Sequence, residues 1–529
     1  MPDLQVTAWD VGILIGYVVL TRVGFGWYFA RKTRGQGAES YFLGAHRMRW
    51  PIIGLSFYVA NMSGGSFVGL PGAAYHTGIS VYNYEWMPAV LLILFAFFFL
   101  PLFLRGRVYT APQFLELRFG RGTRLAFSAM LLLTSMLVDA PASLYAGAMV
   151  LKTLLPEVPV WLTITIAALA AGVYIAYGGL GAVVANDALQ ATLILSGGTI
   201  IAVLAWQAVP SWEAVVDAAP PEALHLIQPA TDEVMPWPGL SGVFIVGMYF
   251  WCTNQFIIQR ALGARSLDDG RWGALLAGLL KLPNLFILVL PGLFALVLYP
   301  DLDNPDMVFP VLAFDLLPVG LRGFMLAVLA AAMLSSLEAI LHSASTLFTM
   351  DFVHPARPDI DSRTLARWGR VASLVFMGIA VVWTPQIARF PTLWQYLQSI
   401  LSYLTPPVVA VFLLGLFWPR ANAAGALFGI AVGVPLGAVG WVLTELLGWF
   451  SVPYLYAAGV MFVAAVALVA MVSLATKPPP AEQARRFGWR LDDYLEDALT
   501  LRGIPWYQDY RWQSAGLAVI TLCVVVWWW

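Results

Sequence analysis

Polar side chains that interrupt long apolar runs are where this chain could do chemistry. Six ionisable groups stand in mid-run: Glu85, Asp139, Asp187, Lys281, Glu338 and His342, with the hydroxyl pair Ser335–Ser336 beside the last two. Charges in such surroundings are expensive and mark binding sites, ion paths or proton relays. The plain alternative for each is a group satisfied by a hydrogen bond to a neighbouring helix. For a lone histidine such as His342 that alternative is the stronger one. Glu338 and His342 are four residues apart and share a helix face. They form the one pair suited to acid–base work, yet no nucleophile or metal-ligand set accompanies them. The two cysteines, Cys252 and Cys523, lie in apolar runs and make no metal spacing.

Two further segments offer oxygen rather than charge. Asn61-Met62-Ser63-Gly64-Gly65 sits in the middle of an apolar stretch. Glycine costs about 1 kcal/mol relative to alanine inside a helix, so the pair invites a break. Carbonyls freed at mid-membrane are tolerated only where they line a cavity or hold an ion. Close packing through small residues is the competing account. In Ala332-Met333-Leu334-Ser335-Ser336, Ala332 and Ser336 share a face, with Ser335 beside them. Hydroxyls on one helix and freed carbonyls on another suit a small hard cation. Bonding of each hydroxyl to its own helix is the alternative there.

The elements that must carry these groups are membrane helices. Of 529 residues, 60% are hydrophobic and 11% charged, and mean hydropathy is +0.77. An average soluble domain carries roughly 25% charged residues, so a soluble enzyme is excluded. Disorder is excluded by the same hydrophobicity, and the net charge of −1 argues against a nucleic-acid partner. A helix needs about 20 apolar residues to cross the bilayer. Fourteen segments qualify: 8–30, 51–70, 81–104, 125–154, 159–177, 182–207, 238–259, 272–299, 321–351, 371–388, 393–417, 422–446, 450–475 and 513–529. Their long continuous runs rule out a β-barrel. With the gaps numbered in order, 24 of the 29 lysines and arginines fall in odd gaps and 3 in even ones. That asymmetry puts the odd gaps inside and both termini outside. The first segment lacks a basic start and a cleavage site and reads as an anchor. The chain reads as one membrane domain, 1–529, with a cytoplasmic linker and surface helix at 476–512. The outer loop 208–237 is Pro- and Ala-rich and suited to short helices.

Several stretches, taken in order, resemble the sodium:solute symporter family, in particular its bacterial sodium/sugar (glucose/galactose) cotransporters. They are Tyr41-Phe42-Leu43-Gly44, Ala60-Asn61-Met62-Ser63 with Phe67-Val68-Gly69, Tyr84-Glu85-Trp86, Tyr177-Gly178-Gly179-Leu180 and Asp187. Asn254 to Leu262, Ser335-Ser336-Leu337, Ser345 to Asp351 and Leu413 to Trp418 continue the series. The resemblance implies an all-α polytopic protein of about 14 transmembrane helices around a leucine-transporter-like 5+5 inverted-repeat core. The repeats would span 51–207 and 238–417, and the first helix of each would be broken, the second near Gly247. It further implies a co-transported sodium ion, held by the carbonyls of Val59, Met62 and Ala332 and the hydroxyls of Ser335 and Ser336. Asp187 matches an acid on the inner ion path. A second ion site known in some members uses hydroxyls where this chain has Glu338 and Ala339, so Glu338 would supply charge or carry a proton instead.

Glu85, Lys281, Trp394 and Gln398 match positions that contact sugar in the family. Ser66, Pro88, Asp139 and Gly247 occupy contact positions whose residues have changed, and Phe250 replaces a gating tyrosine. The resemblance therefore implies sodium-driven import of a sugar or polyol across the cell (inner) membrane. A proton-coupled carrier using Asp139 or Glu338, and a sodium symporter of a non-sugar solute such as sialic acid or another organic acid, stay open beside it. A sensor role lacks room for a signalling domain, and an intramembrane enzyme has only the Glu338–His342 pair to rest on. Oligomeric state is not legible in the sequence.

Overall fold

The computed structural model describes residues 7–19, 48–106, 108, 110–154, 157–175 and 183–529. The Tyr41–Gly44 and Tyr177–Leu180 motifs, and residues 20–30 of the 8–30 segment, lie outside the described residues. Among those described, helix occupies all fourteen apolar segments. The helices are α1 (Ala8–Val18), α2a (Trp50–Asn61), α2b (Gly64–Thr77), α3 (Asn83–Leu94, running on to Arg105), α4 (Arg121–Thr134 with Ala140–Leu154), α5 (Val160–Ile175) and α6 (Val183–Ala208). Then come α7a (Leu240–Met248), α7b (Gln255–Leu262), α8 (Leu267–Leu298), α9 (Leu321–Leu347), α10 (Ser362–Trp383), α11a (Leu393–Leu404), α11b (Pro406–Phe417), α12 (Ala423–Trp441), α13 (Tyr454–Ala475) and α14 (Tyr510–Trp527). Eight helical runs are by themselves long and apolar enough to cross a membrane, and the bent pairs α7a–α7b and α11a–α11b bring the total to ten.

Prolines shape these helices in a repeated way. Wide, π-type turns at Phe95–Phe99, Ser135–Asp139, Leu285–Val289 and Phe348–Val353 each end two residues before a proline: Pro101, Pro141, Pro291 and Pro355. Proline has no N–H, and its ring pushes away the carbonyl four residues back, so the preceding turn widens rather than the helix ending. Gly78 turns the chain between α2b and α3. Its φ is +76°, and a Cβ there would stand 2.2 Å from the Ala223 carbonyl oxygen, so only glycine fits.

The expected break in the second segment is present. α2a stops at Asn61, Met62 (φ −81°, ψ 67°) makes a tight turn, Ser63 (φ −80°, ψ 172°) is extended, and α2b starts at Gly64. The second break differs from expectation. It falls at Asn254, where α7a and α7b meet at 45°, and not near Gly247. Gly247 lies inside a continuous helix because it admits Leu91, whose Cδ1 would be 2.5 Å from an added Cβ. Asn254 ends the helix because its side chain caps the next one, accepting the Phe256 N–H at 3.2 Å. A third bend, of 51° at Thr405, divides the 393–417 segment, which reads as one helix in sequence. Pro406 and Pro407 cannot donate to the preceding turn.

The 476–512 segment forms two short helices, Ala481–Phe487 and Leu491–Thr500. They dock on the ends of α3, α8 and α11b through Arg105–Asp493 (2.7 Å), Arg271–Asp497 (2.9 Å) and Trp489 N–H to the Leu416 carbonyl (2.8 Å). The loop after α6 carries a helix at Trp212–Ala218. At that opposite face the two ends of the described chain meet the loops: Asp10 accepts the Gly320 and Gly323 N–H groups, both at 2.9 Å, and Trp528 offers its carbonyl to Leu226 N–H at 2.9 Å.

Candidate functional site

The break in α2 exposes specific oxygens. In an unbroken helix the Ser63 N–H would bond the Val59 carbonyl; here it turns to Asn61 O at 2.9 Å. The Ser66 N–H would bond Met62 O; here it bonds Ser63 O at 3.0 Å. Asn61 O also accepts the Ser66 hydroxyl at 2.9 Å. The Val59 and Met62 carbonyls therefore lose their helical donors; they are two of the three carbonyls that the family resemblance implies as ion ligands. α9 packs directly on the gap: a Cβ on Gly64 would lie 2.3 Å from Met333 Cγ.

Beside the break is a cavity of about 140 Å³. Val59, Met62, Ala332 and Ser336 are among its lining residues. Ser66, Glu85, Pro88, Asp139, Gly247 and Phe250 line it too, as do Trp394 and Gln398 of α11a. The side chains of Ser335, Glu338 and Asp187 lie outside what the structure describes. Lys281 does not line the cavity. It is fully buried behind Glu85, with its Nζ 2.5 Å from Glu85 Oε2. Lys281 also donates to the Asn61 side chain, and its Nζ lies 3.6 Å from Met62 Sδ. Asn284 donates to Glu85 at 2.5 Å and accepts from the Tyr58 hydroxyl at 2.9 Å. This chain of polar groups joins α2a, α3 and α8 and ends at the helix break.

Some other polar atoms of the wall are unanswered among the described residues. Trp394 Nε1 and Gln398 Oε1 are buried without a hydrogen-bond partner among the described residues, and so are both polar atoms of Gln190 on α6. Asp139, placed in the wall by the wide turn before Pro141, has no ion-pair partner among the described residues. Pro88 lacks the N–H that would close on the Tyr84 carbonyl one turn earlier. His342 Nε2 is buried and unpartnered, and no group of three His, Cys, Asp or Glu that could hold a metal occurs among the described residues. Gln190 and Asn284 are absent from the sequence-derived set. Each stands three residues after a charge in it, Asp187 and Lys281, and that spacing was the available signal.

A family model described as the sodium:solute symporter family matches residues 41–433. The chain belongs to that family. Among curated relatives, the sodium/myo-inositol cotransporter 2 of Oryctolagus cuniculus is 34% identical over 558 residues, covering 95% of this chain and 82% of the relative. The sodium/glucose cotransporter 1 of the same organism is 32% identical, covering 93% and 82%. Among solved structures, a substrate-bound, outward-open Na+-coupled sialic acid symporter matches with TM-score 0.74 at 21% identity, covering 90% of this symporter and 99% of that chain. MHP1, a nucleobase-cation-symport-1 family transporter, matches at TM-score 0.52 and 13% identity, covering 84% and 97%. These likenesses carry the fold, which is the leucine-transporter-like one the sequence anticipates. The protein is a multi-pass membrane symporter.

Proposed function

We propose that this symporter imports a neutral sugar or polyol together with sodium. The observation that carries the substrate reading is the pair of unanswered atoms on α11a: an indole donor at Trp394 and an amide acceptor at Gln398 face one cavity. Hydroxyl groups satisfy both kinds of partner at once. Sodium/myo-inositol and sodium/glucose cotransporters among the relatives support the same class. The wall is balanced in charge, which suits a neutral solute better than an organic acid such as sialic acid: Lys281 pairs with Glu85, and the Asp139 carboxylate shares the lining with Arg260, which donates to Ser56 and the Phe256 carbonyl.

For the ion we assign the carbonyls of Val59, Met62 and Ala332 and the hydroxyls of Ser335 and Ser336. Sodium binding would clamp α2 to α9, and a solute bound beside it would find the site already ordered, so each tightens the other. At 100 mV, negative inside, each entering charge adds about 2.3 kcal/mol. The repeats are 51–207 and 238–417. Their first helices are both broken, and packing is reciprocal: α2a lies on α8, and α7a lies on α3. The arginine-rich odd gaps support an inner-membrane location with both termini outside.

Uptake into proteoliposomes, with and without a sodium gradient, over sugars, polyols, sialic acid and amino acids tests the reading. Ser336→Ala is expected to abolish sodium dependence in a folded protein, and full sodium-driven uptake by that variant would remove the ion site. The uncompensated Asp139 favours one second reading, proton coupling. It predicts uptake driven by a pH gradient in sodium-free buffer.

A further inference from the structure

A second cavity, of about 300 Å³, lies on the face that carries the 476–512 segment. It is bounded by the short helix Ala111–Phe119, the start of α12 and the triplet Pro478–Pro480 that follows α13. Its lining includes Arg118 and Lys477 and no carboxylate.

Arg118 is an unusual residue to find there, at 1% exposure. Its Nε donates to the Gly415 carbonyl at 3.1 Å, and its guanidinium carbon lies 4.7 Å from the centre of the Phe119 ring. Its two terminal nitrogens, Nη1 and Nη2, have no partner among the described residues. Burial without a counter-charge pushes the guanidinium down, to about 10. A guanidinium with two terminal nitrogens unused presents the fork that binds phosphate or carboxylate oxygens.

The N-terminus of the 19-residue α12 adds to it. Asn422 caps this helix by taking the Gly425 N–H on its side chain at 3.0 Å, and its carbonyl takes the Ala426 N–H at 3.0 Å. Ala423 and Ala424, the first two residues of the helix, line the cavity, and their N–H groups are ones no intrahelical carbonyl can reach. Next to this corner Arg420 Nη1 is another buried nitrogen without a partner.

We propose that this cavity binds a phosphate-bearing anion, drawn by Arg118, Lys477 and the N-terminal amides of α12. Two cationic side chains and the positive end of a helix dipole converge where no acid balances them, which is the recipe for an oxyanion site. The cavity opens where α13 gives way to polar chain, at the depth of phospholipid headgroups on the arginine-rich face. A headgroup phosphate and a soluble phosphate share the chemistry.

The test uses the full chain in nanodiscs of phosphatidylcholine, alone or with phosphatidic acid, at ionic strength held constant with chloride. The melting midpoint is followed as inorganic phosphate is added. A saturable rise with phosphate in the phosphatidylcholine discs is expected, and Arg118→Gln should weaken the apparent phosphate affinity by about tenfold or more. If the headgroup is the occupant, phosphatidic acid raises the midpoint by itself and added phosphate then does nothing further. If a soluble phosphate is the occupant, the phosphate response persists in both discs. Should Arg118→Gln fail to fold, the pair Ala423→Pro and Lys477→Gln replaces it, since proline is tolerated at the first helical position and removes one N–H. No saturable response to either probe, or equal responses in native protein and variants, overturns the proposal.

Discussion

Lys281→Met should do two separable kinds of damage. The Lys281–Glu85 pair is buried at 0% and 1% exposure with 2.5 Å between Nζ and Oε2, so removing one partner leaves the other charge buried without its counter-ion. Breaking a buried pair in this way typically costs about 3–5 kcal/mol, whereas removing both charges together is far less damaging. Glu85→Gln should therefore destabilise the protein about as much as Lys281→Met, and the double variant should recover most of the loss. The second effect belongs to Lys281 alone, because its ammonium also holds the Asn61 side chain at the end of α2a. A hydrogen bond to a charged group contributes about 1.5–3 kcal/mol. Even partial transmission to the neighbouring carbonyls should raise the sodium half-saturation concentration about tenfold in Lys281→Met. Glu85→Gln leaves that contact in place and should shift sodium by less than about threefold. The assay pairs heat-challenge recovery of the folded protein with sodium titration of uptake. Single variants as heat-stable as the native protein, or a double variant worse than either single, would refute the reasoning about the pair. Equal sodium shifts in the two singles would refute the link to the break.

Gly64→Ala places a methyl 2.3 Å from Met333 Cγ and 3.3 Å from Ala146 Cβ, and such overpacking costs about 1–3 kcal/mol. Sodium-driven uptake should fall, and adding Met333→Ala should restore part of it; an innocuous Gly64→Ala would mean the close approach of α9 is not required. In the loop after α8, Asp306 is buried and accepts the Leu393 N–H at 2.8 and 3.1 Å at the start of α11a, and burial lifts its carboxyl to about 7 from 3.8. A raised carboxylate favours the folded state fully below about pH 4 and loses that contribution as pH rises through 7. At about 1.4 kcal/mol per unit the upper bound on the loss is on the order of 4 kcal/mol. Melting midpoints should fall between about pH 4 and 7, and Asp306→Asn, which keeps an oxygen acceptor for Leu393, should flatten that fall; an unchanged slope in the variant would rule Asp306 out as its source.

Much of the architecture is legible because the bilayer leaves few options. Every run of about 20 apolar residues had to become helix, and the arginines then ordered the faces. The break at Asn61–Gly65 is legible for a local reason, two glycines beside an asparagine. The break in α7 is hidden because its agent is the cap at Asn254, while the nearby Gly247 serves to admit Leu91. Hydropathy runs straight through Thr405, although Pro406-Pro407 is a helix stop by chemistry. Gln190 and Asn284 escaped because an amide in an apolar run looks milder than a charge, yet buried it needs partners as a charge does: Asn284 finds them in Glu85 and Tyr58, and Gln190 finds none among the described residues.

Lys281 also dictates which parts of the carrier can shift against one another. Its bonds fasten α2a, α3 and α8 through side chains that are almost fully buried. Sliding any of the three past the others would split a buried ion pair, at about 3–5 kcal/mol, so the trio is expected to travel as a single piece. Between α2b and α9 the contact is of another kind: Gly64 and Gly147 make room for the limber thioether of Met333, and an apolar contact of that sort can be swapped for a similar one at small loss. A carrier that opens to one side at a time thus has its joint chosen in advance. Shear runs along the methionine seam, and the charged knot rides as a passenger.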